Sequence, residues 1–340
     1  MDQVVTIGMD IAKSVFQVHG INAAGAVVMR QRLTRTRVLG FFAKLAPCLV
    51  GIEACGSAHY WGRELSRLGH EVRLIAPSYV KPYLKRQKND AADAEAICEA
   101  VTRPNMRFVP VKSSEQQSIM VLHRTRSILV RQRTQLSNAI RGHMSEFGLT
   151  AAVGRNGLQA LIKVILDSGD ARVPDEARAC LLMLVEQLVP INAQILESDR
   201  RIIASARSTE VGQRLMGIPG VGPVLASALV ETISDPKSFA SGRNLAAWIG
   251  LVPRQNSSGG KERLGGITKQ GDRYLRQLLV VGAVAVVRYA VRNGARRPWL
   301  VQLLARRTPK VAAVALANKN ARMAWAIMTS GERYREPVAA

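Results

Sequence analysis

Val4-Val5-Thr6-Ile7-Gly8-Met9-Asp10-Ile11-Ala12-Lys13-Ser14-Val15-Phe16-Gln17-Val18-His19 is the stretch from which the fold is read. Val4 to Met9 alternates with the period of a half-buried strand, and Ser14 to His19 repeats the pattern after a short break. Gly20 and Gly25 set off a third alternating run, Ala26 to Leu33, so the chain opens as a three-stranded meander. Outward from there, Thr36 to Leu45 reads as a helix and Cys48 to Ile52 as a buried strand behind Pro47. His59 to Leu68 follows as a helix, Glu71 to Ile75 as a strand and Ala91 to Val101 as a helix.

Three strands followed by helix, strand, helix, strand, helix is the order of the ribonuclease-H-like fold, an α/β sheet of mixed direction. The expected fold class is therefore α/β plus all-α: an α/β domain over 1–112, a helical, coiled-coil connector over 113–208 and a mainly helical domain over 209–340. In the connector, Ser114 to Phe147 spaces its apolar residues by three, four and seven, which predicts a long amphipathic helix stopped by Gly148. Asp175 to Ala206 has the same character and would run antiparallel to it. In the last part, Gly217-Ile218-Pro219-Gly220-Val221-Gly222 resembles the turn of a helix-hairpin-helix, whose glycines (Gly220, Gly222) let backbone N–H groups approach a phosphate. The same residues suit a tight turn between packed helices. Helices are expected at Val224 to Ile233, Gly242 to Ile249 and Asp272 to Tyr289, with a Gly- and Ser-rich loop from Pro253 to Gly266.

The 340 residues carry 48 Lys and Arg against 25 Asp and Glu, a net charge of +23. Residues 201 to 340 hold 22 basic and 7 acidic side chains, so an excess of 15 lies there. Such an imbalance points to phosphate backbones as the partner. Apolar runs such as Leu278 to Val287 are shorter than a membrane span, and none is expected. The N-terminus lacks the pattern of a secretion signal, so a cytoplasmic protein is expected. Cys48, Cys55, Cys98 and Cys180 form no Cys-x-x-Cys pair, which argues against a zinc knuckle or a disulfide framework.

Two sets of residues carry chemistry. Asp10 ends the first strand and Glu53 closes the apolar run Leu49 to Ile52, so both would emerge at one edge of a sheet in which those strands are neighbours. Asp90 and Asp93, in Lys88-Asn89-Asp90-Ala91-Ala92-Asp93-Ala94, are three apart at a helix start and share a face. An N-cap role would also explain Asp90. Four converging carboxylates repel unless a cation lies between them, and hard oxygen ligands suit Mg²⁺ or Mn²⁺. The second set is Gln255-Asn256-Ser257-Ser258-Gly259-Gly260, flanked by Arg254, Lys261, Arg263 and Lys269. A loop of this composition suits phosphate binding, serines in such loops are usually structural, and one becomes a nucleophile only where something stabilises its alkoxide.

Taken together these motifs resemble the DEDD transposases of the bacterial insertion-sequence family IS110, in its IS1111 subgroup, and the related Piv-type DNA invertases. The likeness covers nearly the whole chain. Gly8-Met9-Asp10-Ile11-Ala12-Lys13 matches the first acidic motif, Glu53 the second, and Asp90 with Asp93 the third and fourth. Gly217 to Gly220, Gly250 to Pro253, Ser258-Gly259-Gly260, Ile267 to Gly271 and Leu275-Arg276 match the transposase domain. Asn89 stands where the family commonly has Thr. The resemblance implies a RuvC-like domain in which Asp10, Glu53, Asp90 and Asp93 bind divalent metal, with Ser258, next to Ser257, attacking DNA to give a covalent phosphoserine. From the glycine turn and the basic side chains, nucleic-acid contacts are expected at Gly220, Gly222, Arg254, Lys261, Arg263, Lys269, Arg273 and Arg276. The implied partners are donor and target DNA, a noncoding bridge RNA and further copies of the chain, as a dimer or tetramer in which metal site and serine come from different protomers. The alternatives are a structure-specific endonuclease of the RuvC type, with water as nucleophile, and a nucleic-acid-binding scaffold with an inactive acidic centre.

Overall fold

Strands β1 (Thr6–Ile11), β2 (Val15–Ile21) and β3 (Val27–Thr34) form the meander. They are joined in one sheet by β4 (Leu49–Glu53), β5 (Glu71–Ile75) and the short β6 (Phe108–Val109). The sheet order is β3-β2-β1-β4-β5-β6. β1 runs antiparallel to β2 and parallel to β4, and β4 is parallel to β5, so the sheet is mixed as the element order predicts. This architecture comes from a computed structural model that describes residues 3–85, 89–293 and 298–336. The chain divides into two compact units, residues 1–117 and 118–340.

In the first unit, α1 (Val38–Phe42) follows a short 3-10 turn, and α2 (Ala58–Arg67), α3 (Pro77–Val80) and α4 (Asp90–Val101) pack on the sheet. Alternation buries Ile7, Met9, Phe16, Val18, Val50 and Ile52 with Trp61 and Leu65 of α2. On the opposite face α4 lies directly on backbone. A Cβ at Gly8 would come within 2.2 Å of the Ala94 carbonyl oxygen, and one at Gly51 within 2.8 Å of Val101 Cβ. Two strand glycines therefore let α4 seat close to β1 and β4. Cys48 and Cys98 are buried, and burial pushes both thiols up to about 11, far from reactive values.

The second unit is helical apart from one hairpin. It contains α5 (Ser114–Glu146) beyond its first turn, α6 (Arg155–Leu166), α7 (Asp175–Ser208), α8 (Glu210–Met216), α9 (Pro223–Thr232) and α10 (Gly242–Ile249). After the hairpin β7 (Pro253–Gln255) and β8 (Leu264–Ile267) come α11 (Arg273–Asn293), α12 (Pro298–Arg306) and α13 (Pro309–Ser330). α5 and α7 run antiparallel, with Arg126 and Asp199 paired at 2.5 Å. Some four turns away, Ile140 and Met144 share a core with Leu181, Val185 and Leu188. That core also takes in Leu161, Ile162 and Ile165 of α6, a helix the reading of the sequence leaves out, so the expected pair of helices is a set of three.

Two helices, Asp175–Ser208 and Arg273–Arg292, are long and apolar enough to cross a membrane by length and composition, a property that core helices share. Their apolar stripes have other uses. Leu181, Val185 and Leu188 line the three-helix core, and Leu275, Leu279, Ala283 and Val287 of α11 enter the main core of the unit. That main core is built on small residues: Ala312, Ala313, Ala317, Ala321 and Ala324 of α13 are buried in it beside α10 and α11. Pro253 to Gly266, expected to be a loop, is a two-stranded hairpin instead. Its Gly, Pro and charged residues hide the period of two on which strand reading depends.

Candidate metal centre and serine hairpin

Asp10 sits on the last turnings of β1, where the side chain leaves the core. β1 and β4 pair Met9 with Ile52, one residue before Asp10 and Glu53, so both acids lie at the same end of the sheet. α4 starts above them. Asn89 caps this helix, its side-chain oxygen accepting the Ala92 N–H at 2.7 Å. The cap role is therefore filled by Asn89, as Thr would fill it, and Asp90 and Asp93 are left facing the sheet edge. Lys88, at the head of that motif, lies outside the described residues.

Asp10, Asp90 and Asp93 offer carboxylate oxygens that all lie within 4.8 Å of one another. Glu53 is outside that group but close enough for its charge to act on Asp10. Burial, then the charges of Asp93, Asp90 and Glu53, push the Asp10 carboxyl up to about 6. A half-buried acid destabilised by its neighbours is the electrostatic signature of a place for a cation. The donor set is all carboxylate oxygen, which fits a hard divalent ion.

The serines lie at the far end of the β7–β8 hairpin. Gly259 and Gly260 have φ of +57° and +74°, the left-handed pair that a two-residue turn of type I′ requires. Lys261 N–H donates to the Ser258 carbonyl at 3.1 Å and closes the turn. Ser257 Oγ accepts the Arg263 N–H at 3.1 Å. Ser258 is exposed at the tip, and its hydroxyl makes no hydrogen bond among the described residues. The two neighbouring serines, which the residues alone left open, thus have different surroundings.

The expected nucleic-acid contacts divide in the same way. Arg254, Lys261, Arg263, Lys269 and Arg273 are exposed on the hairpin and the start of α11. Arg276 spends its Nη1 on the carbonyls of Ile249 and Gln270, at 2.7 and 2.9 Å, and so ties the end of α10 to the turn before α11. Gly220, with φ +87°, packs on the backbone of Gly282, and the Pro219 carbonyl accepts from Asn320 of α13. These contacts give Gly220 the tight-turn role. Gly222 is exposed with open space around it, at the uncapped start of α9.

Nothing in the sequence pattern singled out a buried polar junction formed by His123, Ser227 and Tyr274. His123 on α5 is fully buried and meets Ser227 Oγ of α9 and the Tyr274 hydroxyl of α11, each at 3.0 Å. A lone His in an amphipathic helix carries no signal of such partners.

A mixed sheet that presents clustered carboxylates beside a helix start offers an all-oxygen donor set that fits a divalent cation. The comparisons name the kind of protein. Residues 212–297 match the transposase IS116/IS110/IS902 family, and residues 7–148 match the DEDD transposase model of IS110 type. A probable family 20 transposase of Pseudomonas aeruginosa is 52% identical over 97% of this chain and 98% of its own length. The transposase for insertion sequence element IS1111A of Coxiella burnetii is 41% identical, covering 98% of this chain and 92% of its own. That for element IS1328 of Yersinia enterocolitica is 39% identical, over 97% and 98%. The chain belongs to the IS116/IS110/IS902 family of insertion-sequence transposases, enzymes that cleave and rejoin DNA.

Proposed function

We infer that the chain recombines DNA through a covalent phosphoserine, with Asp10, Glu53, Asp90 and Asp93 of a RuvC-like domain holding Mg²⁺ or Mn²⁺. The observation that carries this reading is the convergence of Asp10, Asp90 and Asp93 within 4.8 Å in a chain of a transposase family. The ion, when bound, polarises a phosphoryl oxygen and offsets the charge that develops on it. Ser258 Oγ attacks the phosphorus; the bond from phosphorus to serine oxygen forms as that to the leaving sugar oxygen breaks. The serine proton passes to solvent or a base, and the leaving oxygen takes one up. Attack by a free sugar hydroxyl on the phosphoserine reverses the exchange and seals the strand. One ester replaces another at each step, so no external energy source is needed. Ser258 is preferred to Ser257 because its hydroxyl has no hydrogen bond among the described residues, whereas that of Ser257 is engaged by the Arg263 N–H.

Arg254, Lys261, Arg263, Lys269 and Arg273 supply the cations that draw DNA to the hairpin and ease formation of the serine alkoxide, and Gly222 opens the start of α9 to a phosphate. Guidance by a bridge RNA, a cytoplasmic, nucleoid-associated location and assembly of several copies complete the reading, on the strength of the family. The decisive experiment incubates the protein with element-end DNA, its flanking RNA and Mn²⁺, then traps protein-bound DNA under denaturing conditions. A covalent adduct is expected from wild type and Ser257→Ala and none from Ser258→Ala. Cleavage undiminished in Ser258→Ala, with no adduct from any form, would assign the attack to water.

A further inference from the structure

The row of side chains at the acidic centre continues across the meander. Asp10 is directly opposite Gln17 on β2, and Gln17 is directly opposite Arg32 on β3. Directly paired residues project from the same face of a sheet. This is the α4 face, because Gly8, two residues before Asp10, lies under Ala94 and Cys98, and Gly51, two before Glu53, lies under Val101. Glu53, Asp10, Gln17 and Arg32 therefore form one line across four strands. With strands about 4.8 Å apart, Arg32 is based about 10 Å from Asp10.

Arg32 is exposed on an edge strand and enters no ion pair among the described residues. Arg30, two residues earlier on the same face, is exposed as well; its field is shared with Glu95, whose carboxylate is paired with Lys85 at 2.5 Å. Charged side chains on an edge strand also serve to deter edge-to-edge pairing. That role needs charge of either sign and is indifferent to the line leading to Asp10. A site of four carboxylates remains anionic even with one divalent ion, so a phosphodiester brought to it is repelled unless cations hold the flanking backbone. Arg32 is placed to do so, with Gln17 between as a neutral hydrogen-bonding step.

We propose that Arg32, supported by Arg30, grips the nucleic-acid backbone flanking the phosphate presented to Asp10, Glu53, Asp90 and Asp93. The partner is a phosphodiester chain, and the proposal rests on the reading of the acidic centre as a phosphoryl-transfer site.

The test measures binding of the full-length protein to one mixed-sequence oligonucleotide, presented as single-stranded DNA, as duplex DNA and as RNA, over a range of salt. Arg32→Glu keeps an edge charge and reverses its sign; Arg32→Lys keeps the sign. Arg32→Glu is expected to weaken binding at least tenfold at low salt and to flatten the slope of log K against log salt by about 0.9 for duplex, or 0.7 for a single strand. The probe most affected identifies the strand that is held. Arg32→Lys should retain the slope, and melting temperatures should stay together. Tight wild-type binding that Arg32→Glu leaves unchanged with all three probes overturns this proposal alone. A wild-type chain that binds none of them overturns it together with the reading on which it rests.

Discussion

Asp10 is held half-buried among like charges, and in the absence of a cation its ionised form is a cost to the fold. Asp10→Asn removes that charge while keeping size and shape. We expect the metal-free variant to be more stable than wild type by about 1 kcal/mol, after discounting for the solvent that reaches the site. The same variant should lose both DNA cleavage and the rise in melting temperature that Mg²⁺ or Mn²⁺ gives wild type, a rise set by mass action. Calorimetric melting with and without the ion checks both, and an unchanged ion response in Asp10→Asn would remove Asp10 from the centre. His123 gives the opposite pH sign from a paired base. Burial lowers its value from 6.5 to about 4, so the unfolded chain takes up a proton before the folded one does. Its contribution is intact above pH 6.5 and is lost as pH falls towards 4, to the extent of about 3 kcal/mol. Urea melting at pH 7, 5 and 4 should therefore show a steeper acid loss in wild type than in His123→Gln, which does not titrate.

At the scale of elements, two backbone features place the chemistry. α4 delivers Asp90 and Asp93 only because Gly8 lets it seat on β1, where a Cβ would stand 2.2 Å from a carbonyl oxygen. Gly8→Ala should cost about 1–3 kcal/mol through overpacking. It should also lower strand cleavage by about a hundredfold, the scale set by a displacement of about 1 Å at a reacting centre. A urea melt and a cleavage rate check the pair; a full rate in a destabilised protein would show that the seating of α4 is not what aligns the acids. The hairpin is the reverse case. Gly260 is exposed in the left-handed region, and Gly260→Ala strains the turn by about 1–2 kcal/mol. The strain falls on the tip, so the adduct yield should drop while the melting temperature of the unit stays close to wild type. The reading of the sequence placed β1 to β5, α2 and α4 to within two residues, because each has a buried face and a clear period, whereas α1 is shorter than expected. It missed α3, β6, α6, α8 and the β7–β8 pairing, whose apolar signal is short or broken by Gly, Pro and charge.

For the molecule as a whole, charge is the property that reaches furthest. The excess of 15 basic side chains between 201 and 340 predicts a steep fall in DNA and RNA affinity with salt. Fluorescence anisotropy from low to moderate salt measures it, and a flat response would mean that this charge does not meet phosphate. By itself the sequence determined the mixed sheet and the four acids at strand and helix ends, because alternation and residue type are local properties of the chain. It also determined the basic balance. Only the tertiary structure decided that Asp10, Asp90 and Asp93 converge in a group that leaves Glu53 out, and that Asn89 rather than Asp90 caps α4. It alone gave the Ser257 hydroxyl a partner in the Arg263 N–H, tied Arg276 to backbone carbonyls, packed Gly220 on Gly282 and put Arg32 in line with Asp10. The physical reason is the same in each case: register, close approach and hydrogen-bond choice depend on residues far away in the chain, and no local pattern records which of them will be near.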